Sequence, residues 1–404
     1  MSAVKQYSRI FAMVSQAAGG LVLILAGFCA AQAASAQTFH LLYQFKSGND
    51  GSQPFANVIL DGKGNLYGTT TIDGAYSNGT VFKVSPSGKE TVLHSFTGTG
   101  GDGAFPIAPL VRDTAGNLYG TTENGGLFGG ACGAYGCGIV FRVSPAGKET
   151  VLYRFKGTGG DGATPGQGLV RGAVGYLYGT TLFGGAHGLG TIFKVSPAGT
   201  ETVLYSFNLS AGDGFLPFGG SLLRDSAGNL YGTTEFGGSQ GVGTVFKLDP
   251  SGTFTVLHNF PGNSTDGYEP FGTITRDKAG NLYGATVFGG AFNFGTVFKI
   301  DTTGTETVLH SFSATGGDGA MPDGGLLLDG AGNLYGTTYA GGNSYFGTVF
   351  KLDTSNTETI LHTFSGTDGR SPDLGLVRDS KGNFYGTAQY GGKYGGGVVF
   401  QVTP

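Results

Sequence analysis

The side chains of this 404-residue chain that could do chemistry fall into a few sets, most of them recurring at a fixed spacing. Aspartate precedes glycine at Asp50, Asp102, Asp161, Asp213, Asp266, Asp318 and Asp368. Carboxylates brought together are the oxygen ligands that an ion such as Ca²⁺ takes several at a time. One Asp per repeat spreads the charge, however, and no local Asp-x-Asp-x-Asp cluster exists. These residues are therefore read as turn formers that cap their own backbone. A second series, Asp61, Asp113, Asp225, Asp277, Asp329 and Asp379, has the spacing of hairpin turns and gives way to Gly172 in the third copy. Neither series nominates a metal site, and no cofactor is expected.

The histidines are His40, His94, His187, His258, His310 and His362. His94, His258, His310 and His362 hold one repeated strand position that Tyr takes elsewhere, an exchange a catalytic base does not survive, so they read as structural. His187 stands in a loop. Cys132 and Cys137 lie in the one insertion of the repeat pattern. Two further ligands for zinc are missing there, and a redox pair would favour Cys-x-x-Cys, so a local disulfide is expected. Gly-x-Gly strings abound but none opens a helix after a strand, which removes a nucleotide loop. No catalytic residue is nominated.

What varies is a set of loop residues: Tyr76, Tyr135, Phe183, His187, Phe236, Phe288, Phe294, Tyr345, Tyr390 and Tyr394. Aromatic rings on a β scaffold stack on sugars or grasp peptides. The competing reading folds the same rings over neighbouring loops. They are the candidate ligand-binding residues.

The elements that must position these loops repeat as well. Asn65-Leu-Tyr-Gly-Thr-Thr70 recurs with its tyrosine at Tyr67, Tyr119, Tyr178, Tyr231, Tyr283, Tyr335 and Tyr385, at spacings of 52, 59, 53, 52, 52 and 50 residues. A period of this size marks a repeat architecture. Each copy holds four short strand-like runs, joined by an Asp-x-x-Gly-Asn hairpin, a Gly-rich loop and a second hairpin. A linker ending Asp-Gly-x-x-Pro leads to the next copy. Four antiparallel strands make a propeller blade. The last copy ends after its third run, Gly397–Val402, while Thr38–Phe45 is an orphan fourth run. Pairing the two yields a closed seven-bladed, all-β propeller and removes the exposed edges of an open array. A linear β-solenoid is the competing architecture. The glycine of each Leu-Tyr-Gly is expected where sheet or backbone comes close, so that a larger residue would push the blades apart.

Glycine numbers 80 and proline 14, yet only 12% of residues are charged and 39% are hydrophobic, so the glycines read as turns of a packed protein. The formal charge is −4, and no basic cluster is present. Nucleic acid is not an expected partner.

The repeat phrase Asp-x-x-Gly-Asn-Leu-Tyr-Gly-Thr-Thr, followed by Gly-Thr-Val-Phe-Lys and Thr-Val-Leu-His-Ser-Phe, resembles the bacterial GloVer tandem repeat of choice-of-anchor proteins. The resemblance spans residues 37–404 and implies an exported or surface-displayed protein, often with a C-terminal sorting tail. No such tail is expected here, because the chain stops within a repeat at Pro404. The family supplies no catalytic residues to carry over.

Residues 1–36 have the form of a secretory signal: Lys5 and Arg9, an apolar stretch from Ala17 to Phe28, and Ala34-Ser35-Ala36 before a cut at Gln37. The apolar stretch is shorter than a membrane span needs. The expectation is one propeller domain at 37–404, periplasmic or extracellular, monomeric, with no transmembrane span after cleavage. Its function reads as a non-enzymatic binding module for a glycan or protein. The alternatives are a polysaccharide-acting hydrolase or lyase and a purely adhesive repeat.

Overall fold

A computed structural model describes residues 37–404, apart from 219, 264 and 265; the signal-peptide segment lies outside the described residues. Gln37–Pro404 forms one compact unit. It is a seven-bladed β-propeller, each blade a four-stranded antiparallel sheet, with the strands in sequence order in all but the seventh. In the first blade the strands are Ile59–Leu60, Leu66–Thr70, Thr80–Val84 and Glu90–Ser95. Among the described residues the only helical pieces are 3₁₀ turns.

The ring closes as the orphan run predicts. Strand Thr38–Gln44 pairs with Val398–Thr403, from Thr38 opposite Thr403 to Gln44 opposite Val398, and completes the seventh blade. Two sheet edges that would otherwise offer unpaired backbone groups satisfy each other.

The repeat phrase is explained by its packing. In the first blade Gly68 lies opposite Phe82 of the third strand. A Cβ on Gly68 would stand 2.7 Å from that ring. The glycine therefore makes room for a phenylalanine of its own blade, and not for a neighbouring blade as its strand position suggested. The neighbouring blade is met by another ring. Phe96, at the end of the first blade's fourth strand, meets Phe141 of the second blade edge-on, with centroids 5.0 Å apart. The same edge contact recurs at Phe155–Phe193, Phe207–Phe246, Phe260–Phe298, Phe312–Phe350 and Phe364–Phe400. Phe45–Phe82 completes the circuit across the closure. Beyond their burial, such pairs contribute about 0.5–1.5 kcal/mol each.

The repeat tyrosine serves the same joint. Arg112 of the second blade lies over Tyr67 of the first at 5.8 Å, with equivalents at Arg171–Tyr119, Arg224–Tyr178, Arg276–Tyr231 and Arg378–Tyr335. The Tyr67 hydroxyl donates to Asp61 at 3.1 Å, and Asp61 also accepts from the backbone N–H of Lys63 and Asn65 and from Asn65 Nδ2. Burial opposes ionisation of Asp61, but these hydrogen bonds outweigh it and hold the carboxyl below its usual range. The second Asp series is thus hairpin chemistry.

Candidate functional site

The Gly-rich loops and the inter-blade linkers share one face of the disc, because each linker forms a short ladder with a loop. Gly103–Ala104 pairs with Asn124–Gly125, Gly162–Ala163 with Phe183–Gly184, Gly214–Phe215 with Phe236–Gly237, and Gly319–Ala320 with Ala340–Gly341. In the fifth blade both are absorbed into long strands, Gly267–Arg276 and Leu282–Gly289.

Within each loop, position decides which side chain points outward. The residue three before the glycine that opens the third strand is exposed in every blade: Tyr76, Tyr135, His187, Gln240, Phe292, Ser344 and Tyr394. The residue just before that glycine turns inward; Cys137 is buried, and Leu189, Val242, Phe294 and Phe346 are partly so. This rule sorts the sequence candidates. Tyr76 (59% exposed), Tyr135 (77%) and Tyr394 (47%) stand at the outward position, and Phe183 and Tyr345 are exposed beside it. His187 is exposed. Phe236, Phe288, Phe294 and Tyr390 are half-buried. Phe236 lies against Phe215, Phe288 stacks on Tyr268, and Arg370 covers Tyr390 at 5.0 Å. Phe294 packs into the cluster around Phe312 and Phe350.

Sequence reading missed Phe292, which is 57% exposed, and chose its inward neighbour Phe294 instead. Counting back from the strand glycine would have found it. Phe292 borders a surface hollow of about 490 Å³ between the fourth and fifth blades, lined also by Val242, Asn263, Tyr268 and Asn293. The Tyr268 hydroxyl donates to Asn293 Oδ1 at 3.0 Å, which fixes the ring as one wall. Among the described residues no charged side chain lines it.

Cys132 and Cys137 are joined as a disulfide in the second-blade insertion. It secures the loop that carries Tyr135.

Three groups of titratable residues bear on the site. At each junction the fourth-strand Tyr or His meets the Asp of the following linker. Tyr43 donates to Asp50 at 2.6 Å, Tyr153 to Asp161 at 2.8 Å, and Tyr205 to Asp213; His362 Nε2 lies 3.0 Å from Asp368. The interchange of His and Tyr thus has a shared partner. In several junctions the next blade adds a glutamate. Burial first, then the nearby aspartate, pushes Glu90, Glu149 and Glu201 up to about 7.

The second group is Asp323 and Asp373, which follow Pro322 and Pro372 where other blades carry Phe55, Ile107, Phe218 or Phe271. They are 6% and 1% exposed. Burial pushes both carboxyls up, and Asp323 raises Asp373 further by repulsion. The third is Glu235 and Glu269, on the loop face of the fourth and fifth blades. Burial and then the charge of Glu269 push Glu235 up to about 7.

This geometry defines the class: a symmetric propeller whose framework repeats while its loop face varies. The chain belongs to the Gloeobacter/Verrucomicrobia repeat family, whose model matches residues 27–131, 130–330 and 313–404. Among curated proteins none matches. Among solved structures it is similar to the extracellular domain of a candidate hybrid two-component system of B. thetaiotaomicron, with a TM-score of 0.56 and 15% identity, over 91% of this chain and 41% of that one. A candidate 6-phosphogluconolactonase of Bacteroides uniformis is similar at a TM-score of 0.50 and 15% identity, over 83% and 93% of the two chains. A gluconolactonase of Xanthomonas campestris aligns at a TM-score of 0.44 and 14% identity, over 91% and 90%. These likenesses concern the fold. No helix among the described residues is long and apolar enough to cross a membrane.

Proposed function

We propose that this protein is an exported, non-enzymatic binding module that takes a neutral glycan on its loop face, in the hollow between the fourth and fifth blades. The observation that carries the reading is Phe292, an apolar ring left 57% exposed at the edge of that hollow. Tyr268 and Phe292 offer π-faces, and Asn263 and Asn293 line the same hollow with amides. An uncharged, aromatic and amide-lined surface suits a polyhydroxylated ligand better than a phosphate or an acidic peptide. Tyr76, Tyr135 and Tyr394, at the same outward position in other blades, extend the surface that a polymer would touch. Export rests on the sequence of residues 1–36 and on the disulfide, which persists in oxidising compartments.

One observation favours the enzymatic alternative. Glu235, poised near 7 beside a second carboxyl, has the character of a general acid, and Glu269 directly follows Tyr268 of the hollow. A single experiment separates the two. Gln37–Pro404 is applied to a broad array of neutral glycans, and every bound glycan is then incubated with the protein and checked for cleavage. The binding-module reading expects saturable binding, weakened at least about tenfold by Phe292→Ala with the fold intact, and no cleavage. Cleavage abolished by Glu235→Gln would install the enzyme instead. Folded protein that binds no neutral glycan overturns both.

A further inference from the structure

The junctions between blades contain an internal comparison. In the seventh blade the place of the glutamate is held by Phe39, which stacks on His362 with centroids 3.7 Å apart. There His362 Nε2 closes to 3.0 Å from Asp368, an ordinary hydrogen bond. At two of the three histidine junctions that carry a glutamate the contact opens. His94 Nε2 stays 3.7 Å from Asp102, and His310 Nε2 stays 3.7 Å from Asp318 and 3.9 Å from Glu358. Those separations are too long for hydrogen bonds.

The atoms so held apart find nothing else. Nε2 of His94 and His310, Oε1 of Glu149 and Glu358, and Oδ1 of Asp318 are buried without a hydrogen-bond partner. Native proteins rarely leave buried polar atoms in that condition. In both His94–Asp102–Glu149 and His310–Asp318–Glu358, one donor atom from each residue lies within 4.8 Å of the other two. A tetrahedral ion with bonds of about 2.0–2.2 Å sets its donors about 3.4 Å apart, so the histidine–aspartate pairs need to close by a few tenths of an ångström and the widest pairs by up to about 1.4 Å to complete the shell. A neutral imidazole with two carboxylates also balances a divalent charge. Imidazole with carboxylate oxygen is a donor set that suits zinc better than calcium or magnesium, which take oxygen alone. Both histidine side chains keep some exposure, 17% and 19%, so the clusters lie close to the surface.

We propose that these two clusters are binding sites for a divalent transition-metal ion of the zinc class. Each ion joins two blades. In the first site the fourth-strand His94 and linker Asp102 follow the first blade, and Glu149 comes from the second. The other links the fifth and sixth blades in the same way. The third junction with a full set, His258–Asp266–Glu306, differs. His258 Nε2 hydrogen-bonds Asp266 at 3.3 Å, and the three donors do not converge within 4.8 Å as those of the other two sets do. It is not assigned a site. The competing account makes each histidine a cation lying between two carboxylates, with no metal.

The test uses untagged Gln37–Pro404, stripped with chelator and titrated with zinc chloride by calorimetry. Two ions per chain are expected. His94→Ala and His310→Ala should each lose one equivalent, and the pair together both, while His362→Ala keeps two. Glu149→Gln and Glu358→Gln, close in shape to the native residues, should lose the same equivalents if the alanine variants fold poorly. Zinc should also raise the melting temperature of the native chain. No binding by the native chain, or an unchanged count in the glutamine variants, overturns the proposal and leaves the histidine ion pair.

Discussion

Asp323 and Asp373 are the sharpest departure from the repeat, because they place two carboxyls where other blades bury apolar side chains. Burial, and for Asp373 also the charge of Asp323, holds their protons in the folded state above the pH at which an unfolded aspartate releases them. The sign follows from linkage. Folded-state affinities for protons are raised, so the stability they give is fully present below the unfolded pKa of about 3.9 and is lost as pH rises through the folded values. The raised Glu90 and Glu201 act in the same sense up to about 7. Urea denaturation in the presence of chelator should therefore show stability falling between about pH 4 and 7, by up to about 1.4 kcal/mol per pH unit for each proton held. Asp373→Asn should flatten that slope; an equal slope in the variant would show that the pair shares no proton. None of this could be read from the chain. The two aspartates lie in linkers of different blades, each behind the turn-forming Asp318 or Asp368, and Asp323, itself followed by Gly324, reads as one more turn former.

At the scale of the strand and loop, the sequence was legible wherever a residue type answers to a local need. Asp-x-x-Gly-Asn encodes its hairpin because one carboxylate takes the backbone and side-chain donors of the next four residues, as Asp61 does. The Cys132–Cys137 bridge was legible from spacing and compartment. Phe292 was not, because inward and outward loop residues are both aromatic in this blade and only the distance to the strand glycine tells them apart. The partners of Gly68 and its equivalents were misjudged for a related reason. Close approach was evident, but the ring opposite belongs to the same sheet. Truncating one ring of the inter-blade circuit tests the packing account: Phe141→Ala removes a fully buried side chain that meets both Phe96 and the Gly120 backbone. A loss of about 3–5 kcal/mol in the denaturation free energy is expected, against less than about 1 kcal/mol for exposed Phe128→Ala.

For the molecule as a whole, the number of blades and the closure followed from counting, since an incomplete last copy and an orphan first strand leave one arrangement without open edges. The meeting of His94, Asp102 and Glu149 did not, because the glutamate arrives from the next blade and no spacing within one repeat records that distance. Deleting residues 37–45 removes the strand that pairs with Val398–Thr403 and the Phe45 ring between the seventh and first blades. Such a chain should lose cooperative unfolding and aggregate through the freed edge, as light scattering would show; a stable monomer would mean that the closure is dispensable.

That closure also orders events in time and under load. The first strand of the ring pairs with the last, so the ring cannot close until all seven copies of the repeat have been made. The longest loop in the chain must then be drawn shut in a single late step, and slow, all-or-none folding follows from it. Once shut, the two ends lie side by side on one ladder, and a pull applied between them is borne first by that ladder. The protein behaves as a clasp, and its mechanical strength is set by the hydrogen bonds from Thr38–Thr403 to Gln44–Val398.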